Sequence, residues 1–297
     1  MTAPLLSLII ATRDRAAFLA LALESLAAQD HAPPFEVIVA DNGSSDATAK
    51  VVEACAGTAP YELRRVYVAE PNRAEARNAG IEAAAGAIVV FVDDDVWLPP
   101  RFVAAHANAH RARGRRAVSG PILNVTSYDE RPKPSPFNYS NAFLCTCNVS
   151  IPRDALLAVS GFDARFKLYG WEDTELGLRL RRSGVRRGFA WDAFLYHIKP
   201  PRTETLDELA RKATERAQMA ALLLEKNPSL RIKLATGAYA ANLWRARLVA
   251  PASLAPFYRR LTENARLAAP LRALARSQYL DAVYVAALRR ALAEPAH

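Results

Sequence analysis

Residues 89–98 read VVFVDDDVWL: three valines and a phenylalanine run straight into three consecutive aspartates, after which the chain turns apolar again. A short, β-branched, wholly apolar run bounded by polar residues predicts a strand buried on both faces. The three carboxylates then stand at its carboxyl end, where their mutual repulsion demands nearby cations.

The same pattern recurs three times upstream. LLSLIIAT (5–12) leads into TRDR, FEVIVAD (35–41) into the turn residues NGSSD, and LRRVYVAE (63–70) into PNR. Between these runs lie helical segments: AAFLALALESLAAQ (16–29), ATAKVVEACAG (47–57) with Gly57 as its stop, and NRAEARNAGIEAAAG (72–86) with Gly86 as its stop. Strands that alternate with helices predict an α/β fold, a Rossmann-like, mostly parallel sheet covered on both sides. In such sheets ligands gather at the carboxyl ends of the strands, which is where TRDR, DNGSSD and DDD converge.

The chain has 297 residues, 51% hydrophobic and 23% charged, a globular composition. No transmembrane run and no signal peptide is expected. Three cysteines, Cys55, Cys145 and Cys147, are too few and too oddly spaced for a disulfide framework or a zinc site, and read as small buried thiols in a reducing cytoplasm. The charge is uneven: residues 1–200 carry 23 Lys+Arg against 22 Asp+Glu, a net +1, whereas residues 201–297 carry 16 against 8, a net +8. We therefore expect two functional regions, one over 1–200 and a basic helical extension over 201–297, the latter broken at Asn227-Pro228, Pro251, Pro256 and Pro270.

Closely spaced carboxylates suit a hard divalent cation, Mg²⁺ or Mn²⁺. The strand's alternation points Asp93 and Asp95 the same way, so that they can share a ligand, and Asp94 the opposite way, to the backbone or a neighbouring arginine. Arg77, in EARNAGI, could hold the aspartates or meet a phosphate, and Gly80 permits close packing. Asp41 is placed to accept bonds from a ribose or base. Glu172 and Asp173, in YGWEDTELGLRL, open a helix behind Trp171; an apolar neighbour that strips water from a carboxylate raises its pKa and suits it to general-base work. The plainer alternative for these two is that they complement the helix dipole. His106 and His110, in HANAH, lack the glutamate of a metalloprotease motif and read as surface residues.

SLIIATRDR, VIVADNGSSDAT, ARNAGI, VVFVDDD, CNVSIPRDAL…GFDARF and GWEDTELGLRLRRSG occur in the order seen in family 2 glycosyltransferases, and over residues 5–200 the chain resembles that family, of GT-A fold. The resemblance implies an inverting, metal-dependent transfer of a sugar from a nucleoside diphosphate sugar, a UDP-sugar first, to an acceptor hydroxyl, as in polysaccharide or glycolipid synthesis. It implies that Thr12, Arg13, Asp41, Arg77 and Asp93 hold the nucleotide sugar. Asp95, Asp93 and His197 would hold Mn²⁺ or Mg²⁺, Asp173 would be the catalytic base, and Glu172 and Trp171 would meet the acceptor. The rival readings are a nucleotidyltransferase acting on sugar phosphates, although ATRDRAAF lacks the expected glycines, and a non-catalytic nucleotide-binding module. No nucleic acid is expected as a partner. The basic tail, with Trp244, Phe257, Tyr258 and Tyr279 as candidate interfacial residues, suggests peripheral contact with an anionic membrane and a lipid-linked acceptor.

Overall fold

In a computed structural model of the chain, described over residues 5–111, 114–139, 144–199 and 204–294, the first half builds four strands in the predicted order. They are β1 (Leu6–Thr12), β2 (Phe35–Asp41), β3 (Glu62–Tyr67) and β4 (Ile88–Val92). Helices α1 (Ala16–Ala27), α2 (Thr48–Ala56) and α3 (Arg73–Ala83) connect them. These strands run parallel, with Ile9 opposite both Ile38 and Phe91.

The chain then gives β5 (Val96–Trp97), α4 (Phe102–Ala109), β6 (Arg116–Ser119), β7 (Ile122–Val125), β8 (Asn148–Pro152) and α5 (Arg153–Ala158). Next come α6 (Glu172–Arg182), β9 (Arg186–Phe189) and β10 (Leu195–Ile198). The main sheet has the order β3-β2-β1-β4-β8-β6-β9. Only β8 runs against its neighbours, so the sheet is mostly parallel. A second sheet has the order β5-β10-β7.

Alternation along the strands splits the core between two faces. Leu8, Ile10, Val39 and Val90 pack with Leu19 and Leu23 of α1 on one. Ile9, Ile38 and Phe91 pack with Ile81 of α3 and Leu176 of α6 on the other. Among these four strands only β3, at the sheet edge, departs from near-complete burial. Gly80 lets α3 sit close on β1, because a Cβ there would come within 2.7 Å of Ile9 Cγ2. The stop predicted at Gly86 falls earlier, since α3 ends at Ala83 and Ala84 is already extended. Gly86 instead makes room for β1, since a Cβ on it would meet the backbone nitrogen of Ser7 at 2.7 Å.

By contacts the chain divides into two compact units, Met1–Lys167 with Glu172–Arg202, and Leu168–Trp171 with Thr203–His297. The second contains α7 (Leu206–Lys226), α8 (Leu230–Thr236), α9 (Ala240–Val249), α10 (Ala255–Glu263) and α11 (Ala269–Ala293). Its core is formed where α7 packs on α11, with Ala220, Leu223, Ala282 and Leu288 buried. The predicted breaks are respected: α7 ends before Asn227-Pro228, and Pro256 and Pro270 lie in the first turns of α10 and α11, where a missing N–H costs nothing. Among the described residues no helix is long and apolar enough to cross a membrane.

Candidate active site

β4 ends at Val92, so the aspartate triplet lies beyond the strand and the two-residue alternation does not govern it. The three carboxylates find different sets of partners. Asp93 faces Arg77, with Nη2 to Oδ1 at 3.8 Å. Asp94, only 3% exposed, accepts a hydrogen bond from Thr12 Oγ1 at 2.7 Å and pairs with Arg15 at 2.8 Å. Asp95 pairs with Arg15 at 2.9 Å and lies 3.1 Å from His197 Nε2. Burial pushes the Asp94 carboxyl up to about 6 despite Arg15, whereas His197 and Arg15 outweigh burial at Asp95 and hold it below the ordinary carboxylate value.

His197 arrives from β10, where it stands opposite Val96; the Ile198 N–H donates to the Asp95 carbonyl at 2.8 Å, which fixes strand and triplet together. Asp93 Oδ, Cys147 Sγ and His197 N lie within 4.8 Å of one another. The buried Oδ1 of Asp95 has no well-directed donor. The Asp93 carboxylate, the Cys147 thiol and the His197 imidazole converge closely enough to fit a divalent cation, while Asp95 lies outside that cluster, held by Arg15 and set against His197.

Asp41 is fully buried at the end of β2, with Arg65 Nη1 on Oδ2 at 2.7 Å and the Ser44 N–H on Oδ1 at 2.8 Å. Arg13 is half-exposed and pairs with the adjacent Asp14, at 3.6 Å. The arginine that reaches Asp94 and Asp95 is Arg15, which no sequence motif singled out. Asp46 accepts from the first N–H groups of two helices, Ala16 of α1 and Thr48 of α2, both at 2.9 Å, and so ties the two loops of this edge together.

On the other side of Asp93, α6 begins. Arg77, 8% exposed, lies between Asp93 and Glu172, 3.5 Å from Glu172 Oε1, with its guanidinium over the Phe162 ring at 5.6 Å. Asp173 is held at one oxygen: the Thr146 N–H and Oγ1 donate to Oδ2 at 3.0 and 3.1 Å. Its Oδ1 is buried and without a partner. Burial pushes the Asp173 carboxyl up to about 7 against the pull of Arg77, with Glu172 adding to the rise. Trp171 groups with the C-terminal unit, where its indole N–H donates to the Arg216 carbonyl at 3.0 Å.

His106 and His110 are not surface residues. His106 is fully buried, with Nδ1 2.8 Å from Ser150 Oγ and Nε2 2.9 Å from Asn148 Oδ1; His110 Nε2 meets the same Ser150 hydroxyl at 2.8 Å. Burial pulls the His106 pKa down to about 4, so it works as a neutral brace between α4 and β8. A lone histidine pattern on a helix gave no sign of the two polar side chains waiting on a strand some 40 residues on.

A mostly parallel sheet whose carboxyl edge gathers paired acids, arginines and a histidine defines an open α/β protein with its ligand site at that edge. The comparisons make this particular. The glycosyl transferase family 2 model matches residues 7–155, and a model described as the N-terminal domain of galactosyltransferase matches 132–203. The validoxylamine A glucosyltransferase of Streptomyces hygroscopicus subsp. limoneus is 31% identical over 230 residues, covering 61% of this chain and 49% of the relative. The succinoglycan biosynthesis protein ExoM of Rhizobium meliloti is 28% identical, covering 72% of this chain and 74% of its own. The chain spans about half the length of the first of these curated relatives. Among solved structures, the mannosyltransferase PcManGT of Pyrobaculum calidifontis, in complex with GDP-Man and Mn²⁺, superposes with a TM-score of 0.62 at 20% identity, covering 100% of this chain and 89% of that one. S. aureus TarS with UDP-GlcNAc gives 0.58 at 18%, covering 96% and 90%. The chain belongs to glycosyltransferase family 2 and has the GT-A fold.

Proposed function

We propose that the enzyme transfers a glycosyl group from a nucleoside diphosphate sugar, a UDP-sugar in the first instance, to an acceptor hydroxyl with inversion at the anomeric carbon. The observation that carries this reading is the buried, unpartnered Oδ1 of Asp173, a carboxylate whose other oxygen is fixed by Thr146. Such a group has a defined direction and a pKa raised toward neutrality, which suits general-base catalysis. Asp173 accepts the proton of the acceptor hydroxyl as that oxygen attacks, and Glu172 orients the acceptor. Arg77 keeps Glu172 and Asp93 in place, and with Arg15 it faces the phosphates of the donor. Thr12 and Asp41 shape the nucleoside end of the site. Asp93, Asp95 and His197 would hold the Mn²⁺ or Mg²⁺ ion. Bound there, the ion supplies positive charge to the leaving diphosphate. Two neighbours in fold support the donor class: PcManGT was solved with GDP-Man and Mn²⁺, and TarS with UDP-GlcNAc.

The C-terminal unit is proposed to rest on an anionic membrane surface, which would suit a lipid-linked acceptor. Exposed Leu230, Leu234, Trp244, Leu248, Phe257 and Leu274 support this, alongside the region's net charge of +8. Tyr279 is buried and leaves the set of interfacial candidates, and Tyr258 spends its hydroxyl on the Val249 carbonyl. Binding to liposomes should need anionic lipid and weaken with salt; equal recovery on neutral liposomes returns these helices to a packing role.

The test of the reaction is nucleotide release from a panel of UDP-, GDP- and dTDP-sugars, with and without EDTA. Release of a nucleoside diphosphate that EDTA suppresses is expected. Pyrophosphate release from a nucleoside triphosphate and a sugar phosphate would instead assign a nucleotidyltransferase.

A further inference from the structure

Cys147 occupies a place where a sulfur is chemically consequential. It is 3% exposed, it immediately precedes β8, and its Sγ shares the 4.8 Å cluster with Asp93 and His197. Its position is set by the next residue. Asn148, fully buried, donates from Nδ2 to the Pro121 and Ala193 carbonyls at 3.1 and 2.8 Å and meets His106 through Oδ1. Tetrahedral bonds of roughly 2.0–2.3 Å to one ion place its N, O and S donors about 3.3–3.8 Å apart, so three groups already within 4.8 Å of one another close by on the order of 1 Å to share a cation.

We propose that Cys147 is a direct donor to the divalent ion, which makes the centre an oxygen, nitrogen and sulfur site with a preference for softer ions than carboxylates and imidazole alone would give. The inference rests on the metal-site reading above. On binding, the Cys147 S–H bond is exchanged for a sulfur–metal bond and the proton leaves to solvent; no electron changes hands. Thiolate ligation favours Zn²⁺ and Co²⁺ over Mn²⁺ and Mg²⁺. Cys145, two residues earlier, lies outside the cluster and serves as an internal control.

The experiment is a titration of the purified full chain with Co²⁺ alone, followed by absorption. A thiolate-to-cobalt charge-transfer band in the near ultraviolet is expected in the parent and in Cys145→Ser, and its loss in Cys147→Ser. Zn²⁺ affinity measured by competition should fall about tenfold or more in Cys147→Ser, the scale on which metal sites respond to loss of a supporting group. Mn²⁺ affinity should stay within about twofold, because a hard ion gains little from sulfur. Co²⁺ bound to the parent without the band overturns the sulfur donor and leaves the metal site standing. Failure of Co²⁺ to bind at all overturns both readings. Since the band is sought first in the unmodified protein, a misfolded variant leaves the test intact.

Discussion

Asp173→Asn should make the protein more stable while disabling it. The carboxyl ordinarily titrates near 3.8, and burial holds it near 7 in the folded chain. The sign follows from linkage. The folded state binds the proton more tightly than the unfolded state does, so this group favours folding at low pH. That contribution is lost as pH rises from 3.8 toward the folded value, and above it the full cost of a buried carboxylate is present. At about 1.4 kcal/mol for each pH unit of that gap, the cost reaches roughly 4 kcal/mol as an upper bound. Asparagine keeps the shape and an oxygen for Thr146, and it carries no charge. Relative to parent, the variant should therefore gain little in urea unfolding at about pH 4.5 and on the order of 1–4 kcal/mol at about pH 8.5. Its turnover should fall by about two orders of magnitude or more, the scale of general-base catalysis, with donor affinity nearly unchanged. The parent's own turnover should decline as pH falls through neutrality, because the active form is deprotonated. A stability difference independent of pH, or a variant that loses donor binding in step with turnover, would refute the assignment of a buried, destabilised base.

Asp95→Ala should abolish metal-dependent transfer in a folded protein, since Asp95 touches both Arg15 and His197; normal turnover beside a native circular dichroism spectrum would move the ion elsewhere. His197→Ala should weaken Mn²⁺ binding roughly tenfold or more, checked by titration, with an unchanged dissociation constant reducing His197 to a packing residue. Arg15→Ala should cost about 1–3 kcal/mol in urea unfolding near pH 8. Near pH 5 the loss should shrink, because Asp94, already pushed up to about 6, then takes a proton in the folded state; an equal loss at both pH values contradicts the charge argument.

The four leading strands were legible because each apolar run stops at a polar cluster, and because both faces of the inner strands are covered, which leaves no mixed periodicity to misread. The site was legible as a neighbourhood and not as a geometry. In the triplet the arginine expected beside Asp94 is Arg15, which also holds Asp95; the chain leaves the strand at Val92, where pleat no longer separates the two. Arg15 was hidden among three charged residues of TRDR, and only the start of α1 decides that it, rather than Arg13, turns to Asp94 and Asp95. His106 was misread for the opposite reason: polarity on a helix suggests water, yet buried Ser150 and Asn148 satisfy it. Thr146 and Cys147 gave no local signal, because their relation to Asp173 and Asp93 is made by the pairing of β8 with β4.

That pairing divides the labour of the active edge. Because β8 runs antiparallel, with Asn148 opposite Val92, it brings its beginning, not its end, to the edge where β1, β2 and β4 finish. Thr12, Asp41 and Asp93 leave or end parallel strands and are locked to the short connections that follow. Thr146 and Cys147 instead arrive from the long connection between Val125 and Asn148, upstream of the strand that positions them. A change of length in that connection meets β8 only at its start, so the ladder from Asn148 to Pro152 keeps its register and the opposite half of the edge is undisturbed. The fold thus separates what is fixed from what is free: the side with Thr12, Asp41 and Asp93 is tied to strands that tolerate no slip, while the side with Thr146 and Cys147 depends on one connection.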